Sequence, residues 1–139
     1  MSAQQAASRR QVIAYAADAY GVEPDWPRDG PYATSCVLRH PGNRKWFGLL
    51  MNVRRNLLGL DGEEPVDILN VKCDPDVASI ARGAEGILPA YHMNKDAWVS
   101  ILLDGSVPEE MVFDLLDRSF ELTAPKARRL KKDVPPTSC

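Results

Sequence analysis

The amino-acid sequence predicts an α+β fold: a single domain with a twisted antiparallel sheet and helices packed on one face of that sheet. Its 139 residues and 45% hydrophobic content suit one ordinary core. Segments with helical and with alternating periodicity follow one another along the chain, and a tight turn joins the first two alternating segments. The sequence contains no internal repeat, and nothing in it indicates a second domain.

The first predicted element is an amphipathic helix from about Gln4 to Tyr20. Ser2 and Gln5 have the spacing of a capping box, and Gly21 is suited to end the helix. Residues 25–32 are rich in Pro, Gly and Asp, which favour neither period, so they are predicted to form a loop.

Two strands are predicted on either side of a tight turn. Residues 36–40 and 45–53 flank the sequence Pro41-Gly42-Asn43-Arg44, a pattern typical of a β-hairpin. This hairpin is predicted to project from the sheet and to carry basic residues near its tip.

A third strand is predicted over residues 66–73. Leu69 and Val71 share one face of this strand, and Asn70 and Lys72 share the other. The sheet is therefore predicted to have one buried face and one face in contact with water.

A short helix, a strand and a last helix complete the prediction. Asp74 and Pro75 favour a helix start and Gly83 its end. The inner face of this short helix is predicted to hold Val77, Ile80 and Ala81. A strand follows over residues 98–103, and Ser106 and Glu109 have the spacing of a capping box for the last helix. The buried face of the last helix is predicted to hold Met111, Val112, Leu115, Leu116, Ser119 and Phe120.

The α+β domain is predicted to span residues 1–124, followed by a basic, disordered tail over residues 125–139. Three widely spaced cysteines indicate a reducing compartment. The apolar runs are shorter than the roughly 20 residues of a membrane span, and the first residues lack the pattern of a secretory signal. We therefore expect a cytoplasmic protein that has no membrane partner.

Charge is distributed unevenly although the net charge is only −2. Residues 61–122 hold fourteen acidic and four basic residues, whereas residues 30–60 hold no acidic residue. The cationic side chains and the histidine of this acid-free segment are predicted to form a DNA-binding surface. They are Arg39, His40, Arg44, Lys45, Arg54 and Arg55. The alternative is a solvated hairpin tip.

A second candidate surface surrounds the loop over residues 89–95. It comprises Lys72, His92, Asn94, Lys95 and Trp98. A histidine beside an amine suits acid/base work or phosphate binding. The alternative is that the polar side chains of the loop bond its own backbone and leave Lys95 solvated. Trp46 and Trp98 are likewise open to two interpretations, contact with bases or burial in the core.

No catalytic or metal-binding motif is present. Cys36 and His40 lie four residues apart in a predicted strand, hence about 13 Å apart, too far for a nucleophile and its base. These two residues, Cys73 and His92 also lack the spacing of metal ligands. The sequence therefore predicts a binding protein without enzymatic activity, metal or cofactor.

Several separated motifs resemble the bacterial MmcQ/YjbR family over roughly residues 8–123. They are LRHPGNRKWF (38–47), LGLDG (58–62), DILNVKCDP (67–75), GILPAYHMNK (86–95) and LDG (103–105), together with Trp98. The resemblance implies a frataxin-like (CyaY-like) fold and a DNA-binding role through a "double wing" of projecting hairpins. It implies no catalytic residues.

Two functions are therefore expected. The first is a monomeric or weakly dimeric DNA-binding protein whose hairpin wings contact phosphates. The second is a protein-binding or small-ligand-binding module that uses the open face of the sheet, around Asn70, Lys72, Trp98 and Ser100. A frataxin-like metal role would need carboxylates on the first helix, which offers only Asp18.

Overall fold

The structure, a computed structural model, describes residues 8–26, 35–91 and 93–125. Three α-helices, five strands and one short 3-10 helix make up this part of the chain. In chain order they are α1 (Arg9–Tyr20), β1 (Cys36–Arg39), β2 (Trp46–Arg54), the 3-10 helix (Arg55–Leu58), β3 (Pro65–Lys72), α2 (Pro75–Ala81), β4 (Ile87–Pro89), β5 (Trp98–Leu102) and α3 (Glu109–Thr123).

The five strands form one antiparallel sheet in the order β1-β2-β3-β5-β4. The α+β prediction is confirmed, and the hairpin β1-β2 joins two neighbouring strands as expected. β4 was not predicted, because three residues are too few for alternation to be recognised. At the opposite edge Asp25, from the predicted loop, forms a bridge with Val37 of β1.

One face of the sheet, the helix face, packs against the helices. The buried cluster there combines residues of all three helices and all five strands, and it includes Val12, Leu50, Leu69, Ile101 and Leu116. The predicted inner face of α3 is confirmed, with Met111 only partly buried at its edge. In α2, however, Ile80 is 78% exposed, because Ala78 and Ala81 are the residues that this helix buries.

The opposite face of the sheet, the second face, is also packed, which corrects the prediction of a face in contact with water. Its buried cluster contains Val37, Leu49, Met51, Val53, Val66, Ile68 and Leu102. Residues of the β2-β3 connection and of the segment after β4 pack against it, among them Leu60 and Met93. Asn70 and Ser100 are 0% exposed and bond each other, so this pair is buried polar structure.

The starts of two helices also differ from the prediction. α1 begins at Arg9, and the capping box is formed by Ser8 and Gln11, three residues apart like the predicted pair. Ser2 and Gln5 lie outside the described residues. α3 begins at Glu109 after Pro108, and Ser106 does not cap it. The Ser106 amide instead donates to Asp104 Oδ1 at 3.0 Å, because that carboxylate lies two residues away in the same turn.

Helices α1 and α3 are linked by hydrogen bonds from two tyrosine hydroxyl groups of α1 to one carboxylate of α3. Both Tyr15 and Tyr20 donate to the Asp117 carboxylate, Tyr15 at 2.9 Å and 3.0 Å from the two oxygens. Tyr20 also stacks on Phe120, with ring centroids 4.1 Å apart. Burial, followed by the hydrogen bond to Asp117, raises the pKa of Tyr20 far above its ordinary value.

Gly48 of β2 is closely packed on the helix face. A Cβ atom at this position would lie 3.0 Å from Leu38 Cδ1 on β1 and 3.5 Å from Leu116 Cδ1 on α3. A larger side chain would therefore require the Leu38 side chain to move. None of the helices in the described ranges has the length and hydrophobicity that crossing a bilayer requires.

Gly48→Val is expected to lower the free energy of unfolding by about 1–3 kcal/mol, because the branched side chain overpacks the space beside Leu38. Urea denaturation followed by circular dichroism measures the change. An unchanged midpoint would contradict the tight packing around Gly48.

The free energy of unfolding is also expected to fall as the pH rises above about 10, the ordinary tyrosine pKa. Tyr20 then loses its proton in the unfolded chain but retains it in the folded protein, which costs up to about 1.4 kcal/mol per pH unit. Urea denaturation at pH 9, 10 and 11 measures this slope. The Tyr20→Phe variant is the control, and an equally steep slope in that variant would refute the assignment to Tyr20.

Candidate functional site

The hairpin turn is held against the end of α3 and does not project as an isolated wing. Within the turn, Arg44 adopts a φ of 63°, its amide donates to His40 O at 2.9 Å, and the Lys45 amide donates to Asn43 Oδ1 at 3.0 Å. The Asn43 side-chain amide donates to Thr123 O at 3.0 Å. The turn is therefore fixed in position, with the side chains of Arg44 and Lys45 exposed.

His40 is part of the core, which removes it from the predicted DNA-binding set. It is 2% exposed, and its Nε2 lies 2.9 Å from both Phe120 O and Thr123 Oγ1. A carbonyl oxygen only accepts, so Nε2 carries the proton and donates to Phe120 O. The ring also stacks on Phe120 at 4.3 Å. His40 thus anchors the hairpin to α3 and cannot reach a phosphate.

Arg54 and Arg55 lie at the far end of β2 from the hairpin turn. Nine residue steps separate Lys45 from Arg54, about 30 Å along a strand. Arg55 forms an ion pair of 3.1 Å with Asp104, and the connection between β2 and β3 supplies further acidic residues at this end. They are Asp61, Glu63 and Glu64. The six predicted residues therefore do not form one surface.

The other end of the sheet, the hairpin end, brings together residues from both predicted surfaces. It contains the turn between β1 and β2, the end of β3 and the start of β5. Arg39 of β1 pairs with Trp46 of β2, and Lys72 of β3 pairs with Trp98 of β5. Because β2 and β3 are neighbours, these four side chains form a cation-aromatic row across four adjacent strands.

All four residues of the row belong to the second face. Lys72 lies on the same face of β3 as the buried Ile68 and Asn70. Trp98 likewise lies on the same face of β5 as Leu102, which belongs to the buried cluster of the second face. Arg39 follows Val37 of the same face, and Trp46 is the direct cross-strand partner of Arg39. Arg39, Lys72 and Trp98 are partly buried, whereas Trp46 is 39% exposed.

A bulge in β2 explains the exposure of Trp46. The register shifts between Leu38 and Arg39, so that the pairs Leu38-Gly48 and Arg39-Trp46 leave Phe47 without a partner on β1. Phe47 turns into the core of the helix face, and Trp46 turns to the second face. Alternation along β2 alone would have placed Trp46 on the helix face, so the sequence could not decide between the two interpretations.

The hydroxyl group of Ser119 ends the pairing of β2 with β3 next to this row. It donates to Phe47 O at 2.6 Å and accepts from the Lys72 amide at 2.9 Å. Phe47 and Lys72 stand next in register after the pair Gly48-Val71. The serine therefore bridges two strands that would otherwise bond directly, and it fixes the backbone position of Lys72.

The loop after β4 is largely held by its own backbone contacts. Asn94 Oδ1 accepts from the Asp96 amide at 2.8 Å, as the structural alternative predicted. Lys95 is not simply solvated, because its Nζ donates to Ala90 O at 3.0 Å. His92 lies outside the described residues. The predicted ligand face around Asn70 and Ser100 is wrong, since neither side chain is accessible.

The hairpin end carries both cations and carboxylates, and its cations differ in whether they are paired. Arg39 forms an ion pair of 2.6 Å with Asp25, whereas within the described ranges Arg44, Lys45 and Lys72 take part in no ion pair. Carboxylates also lie near this end, namely Asp74, Asp96 and, on α3 two residues before Thr123, Glu121. Within the described ranges, Arg44, Lys45 and Lys72 nevertheless have no carboxylate partner and are available to an anionic ligand.

A cleft of about 300 Å³ lies between α2 and α3, beyond the end of β3. It is lined by Cys73, Asp74, Val77, Asp117, Arg118, Glu121 and Leu122. Burial raises the pKa of Cys73 to about 11, so at neutral pH the side chain is a thiol and a poor nucleophile. Among the described residues, no three His, Cys, Asp or Glu side chains are grouped to hold a metal ion.

Ser119→Ala is expected to lower the free energy of unfolding by about 1–3 kcal/mol, because one buried and one partly buried backbone group lose their partner. Hydrogen exchange of the Lys72 amide should accelerate. Ser79→Ala, at an exposed position of α2, is the control, with an expected change below about 0.5 kcal/mol. Equal changes in the two variants would rule out the bridge.

Comparison with known sequences supports the family resemblance. A family model described as YjbR matches residues 17–122. The uncharacterised protein YyaQ of Bacillus subtilis is 43% identical over 116 residues, which cover 84% of this chain and 98% of YyaQ. The uncharacterised protein YjbR of Escherichia coli is 32% identical over 54 residues, which cover 38% of this chain and 46% of YjbR.

Solved structures agree with the fold. The crystal structure of a Pseudomonas syringae protein has a TM-score of 0.80 and 37% identity, covering 84% of this chain and 99% of that one. A Deinococcus radiodurans protein shares the fold with a TM-score of 0.67 at 24% identity, covering 94% of this chain and 91% of that one. Because the family model matches residues 17–122 and the similarity to YyaQ covers nearly the whole of that protein, the chain belongs to the YjbR family.

Proposed function

We propose that this protein is a nucleic-acid-binding protein, with DNA as its ligand, and that the hairpin end of the sheet is its contact surface. The observation that carries the proposal is the cation-aromatic row, in which Arg39 and Lys72 alternate with Trp46 and Trp98 across four strands. Cations bind phosphates and aromatic rings bind bases, so this combination is typical of nucleic-acid surfaces.

Phosphate contacts come from the cations at this end. Arg44 and Lys45 lie on the hairpin turn, and Lys72 lies on the second face two strands away. The turn is fixed by its contacts with Thr123 and by its internal hydrogen bonds, so binding requires little ordering of the backbone.

The carboxylates at the opposite end of the sheet support placing the contact surface at the hairpin end. The β2-β3 connection that follows Arg54 and Arg55 carries Asp61, Glu63 and Glu64, and Arg55 is paired with Asp104. These carboxylates oppose a polyanion there. The proposed contact surface is therefore smaller than the one predicted from sequence, and it excludes His40, Arg54 and Arg55.

The charge-reversed double variant Arg44→Glu/Lys45→Glu is expected to lose DNA affinity by roughly tenfold or more, because two phosphate contacts become repulsive. Fluorescence anisotropy with a labelled oligonucleotide at about 50 mM and 200 mM salt measures it. For three contacts, the log-log salt slope of the unmodified protein should be about −2 to −3, and the variant should lose about two units of slope.

Arg54→Glu is the matched control, since it reverses an exposed cation about 30 Å away on the same strand. Its affinity should stay within about twofold of the unmodified protein. Equal losses in the two variants would contradict the placement at the hairpin end. Absence of binding by the unmodified protein at micromolar concentration and low salt would overturn the proposed function.

A further inference from the structure

We infer that the ligand at the hairpin end is a single strand with unpaired bases, and that Trp46 and Trp98 are the surfaces on which these bases stack. This inference rests on the proposed function and names the class of nucleic acid. It follows from the position of the two indole rings in the cation-aromatic row, with Lys72 on the strand between them.

The spacing of the row suits an extended strand of nucleotides. Neighbouring strands of a regular sheet lie about 4.8 Å apart, and the Ser119 hydroxyl is inserted between β2 and β3 at this level, so the backbone positions of Trp46 and Trp98 are separated by at least about 10 Å. The Lys72 chain lies between them, and Arg39 flanks Trp46 on the other side. Cations that alternate with aromatic rings allow phosphates and bases of one strand to be contacted in turn.

The exposure of Trp46 is the second observation that supports the inference. The bulge that turns Phe47 into the core leaves Trp46 39% exposed beside Lys45. A tryptophan exposed on the surface of a sheet offers its ring for stacking against the face of a base. In a duplex those faces are covered by neighbouring base pairs, whereas unpaired bases expose them to aromatic side chains.

The hairpin is also poorly placed for reading duplex DNA. A two-stranded ribbon must enter the major groove to contact base edges. The tip of the hairpin, in contrast, is bonded to the end of α3 through Asn43 and Thr123, and His40 behind it is buried. The side chains of the turn are exposed, but its backbone is held against α3, whereas the row presents two indole rings on the second face, which favours a single strand with unpaired bases.

Binding of a 12-nucleotide oligo-dT, an oligo-U of equal length and a duplex of equal length tests the inference. Fluorescence anisotropy gives the affinities, and quenching of tryptophan emission reports stacking. Trp26→Phe removes the emission of Trp26, an exposed residue outside the row whose ring lies 5.5 Å from the Arg9 guanidinium. In this background we expect the single strands to bind at least about tenfold more tightly than the duplex and to quench the emission.

Trp46→Ala should lower single-strand affinity by about 5- to 100-fold, which is the effect expected when one base loses its stacking partner. The same variant should change duplex affinity little. Trp46→Phe retains an aromatic face and should restore most of the loss, while circular dichroism verifies that both variants are folded. The two oligonucleotides distinguish DNA from RNA as the source of the strand.

The outcomes separate this inference from the proposed function. Binding of the duplex as tight as that of the single strands, with equal affinities in the Trp46→Ala variant, would overturn the stacking inference and leave the nucleic-acid function standing. Absence of binding by all three oligonucleotides would overturn both and would point to a protein partner for the exposed tryptophan.

Discussion

The docking of the second half of α3 on the start of β2 is the contact on which the hairpin end depends. Ser119 bridges Phe47 and the Lys72 amide, and His40 donates to Phe120 O from the hairpin. Together these bonds turn Phe47 toward the helices and end the pairing of β2 with β3. The neighbouring Trp46 consequently faces away from the helices, and the row on the second face is a direct result.

A sheet that is buried on both faces restricts where a ligand can bind. The helix face is filled by the three helices, and the centre of the second face is filled by an apolar cluster that includes the buried pair Asn70 and Ser100. Polar and charged side chains are therefore accessible mainly at the two ends of the sheet. The end around Arg54 combines cations with the carboxylates of the β2-β3 connection, whereas the hairpin end offers the two tryptophans and the exposed cations of the turn, which favours the hairpin end for a polyanion.

Because the chain belongs to the YjbR family, its arrangement can be compared with that of its relatives. The chain aligns with nearly the whole of YyaQ and with a solved Pseudomonas syringae structure at a TM-score of 0.80. The sheet order, the bulge and the serine bridge are thus features that can be compared position by position in relatives. The net charge of −2 explains little by itself, because a few cations on one end of a sheet matter more to a polyanion than the sum over the chain.

The sequence by itself determined the fold class, the hairpin, the strands β3 and β5 and the inner face of α3, because these depend on local periodicity and on turn residues. Only the tertiary structure decided that His40 is buried, that the second face is packed and that Arg54 and Arg55 lie apart from Arg44 and Lys45. Those facts depend on contacts between segments distant in the chain, such as His40 with Phe120 and Ser119 with Phe47. Periodicity shows which side chains share a face of an element, but what covers that face is decided by packing between elements.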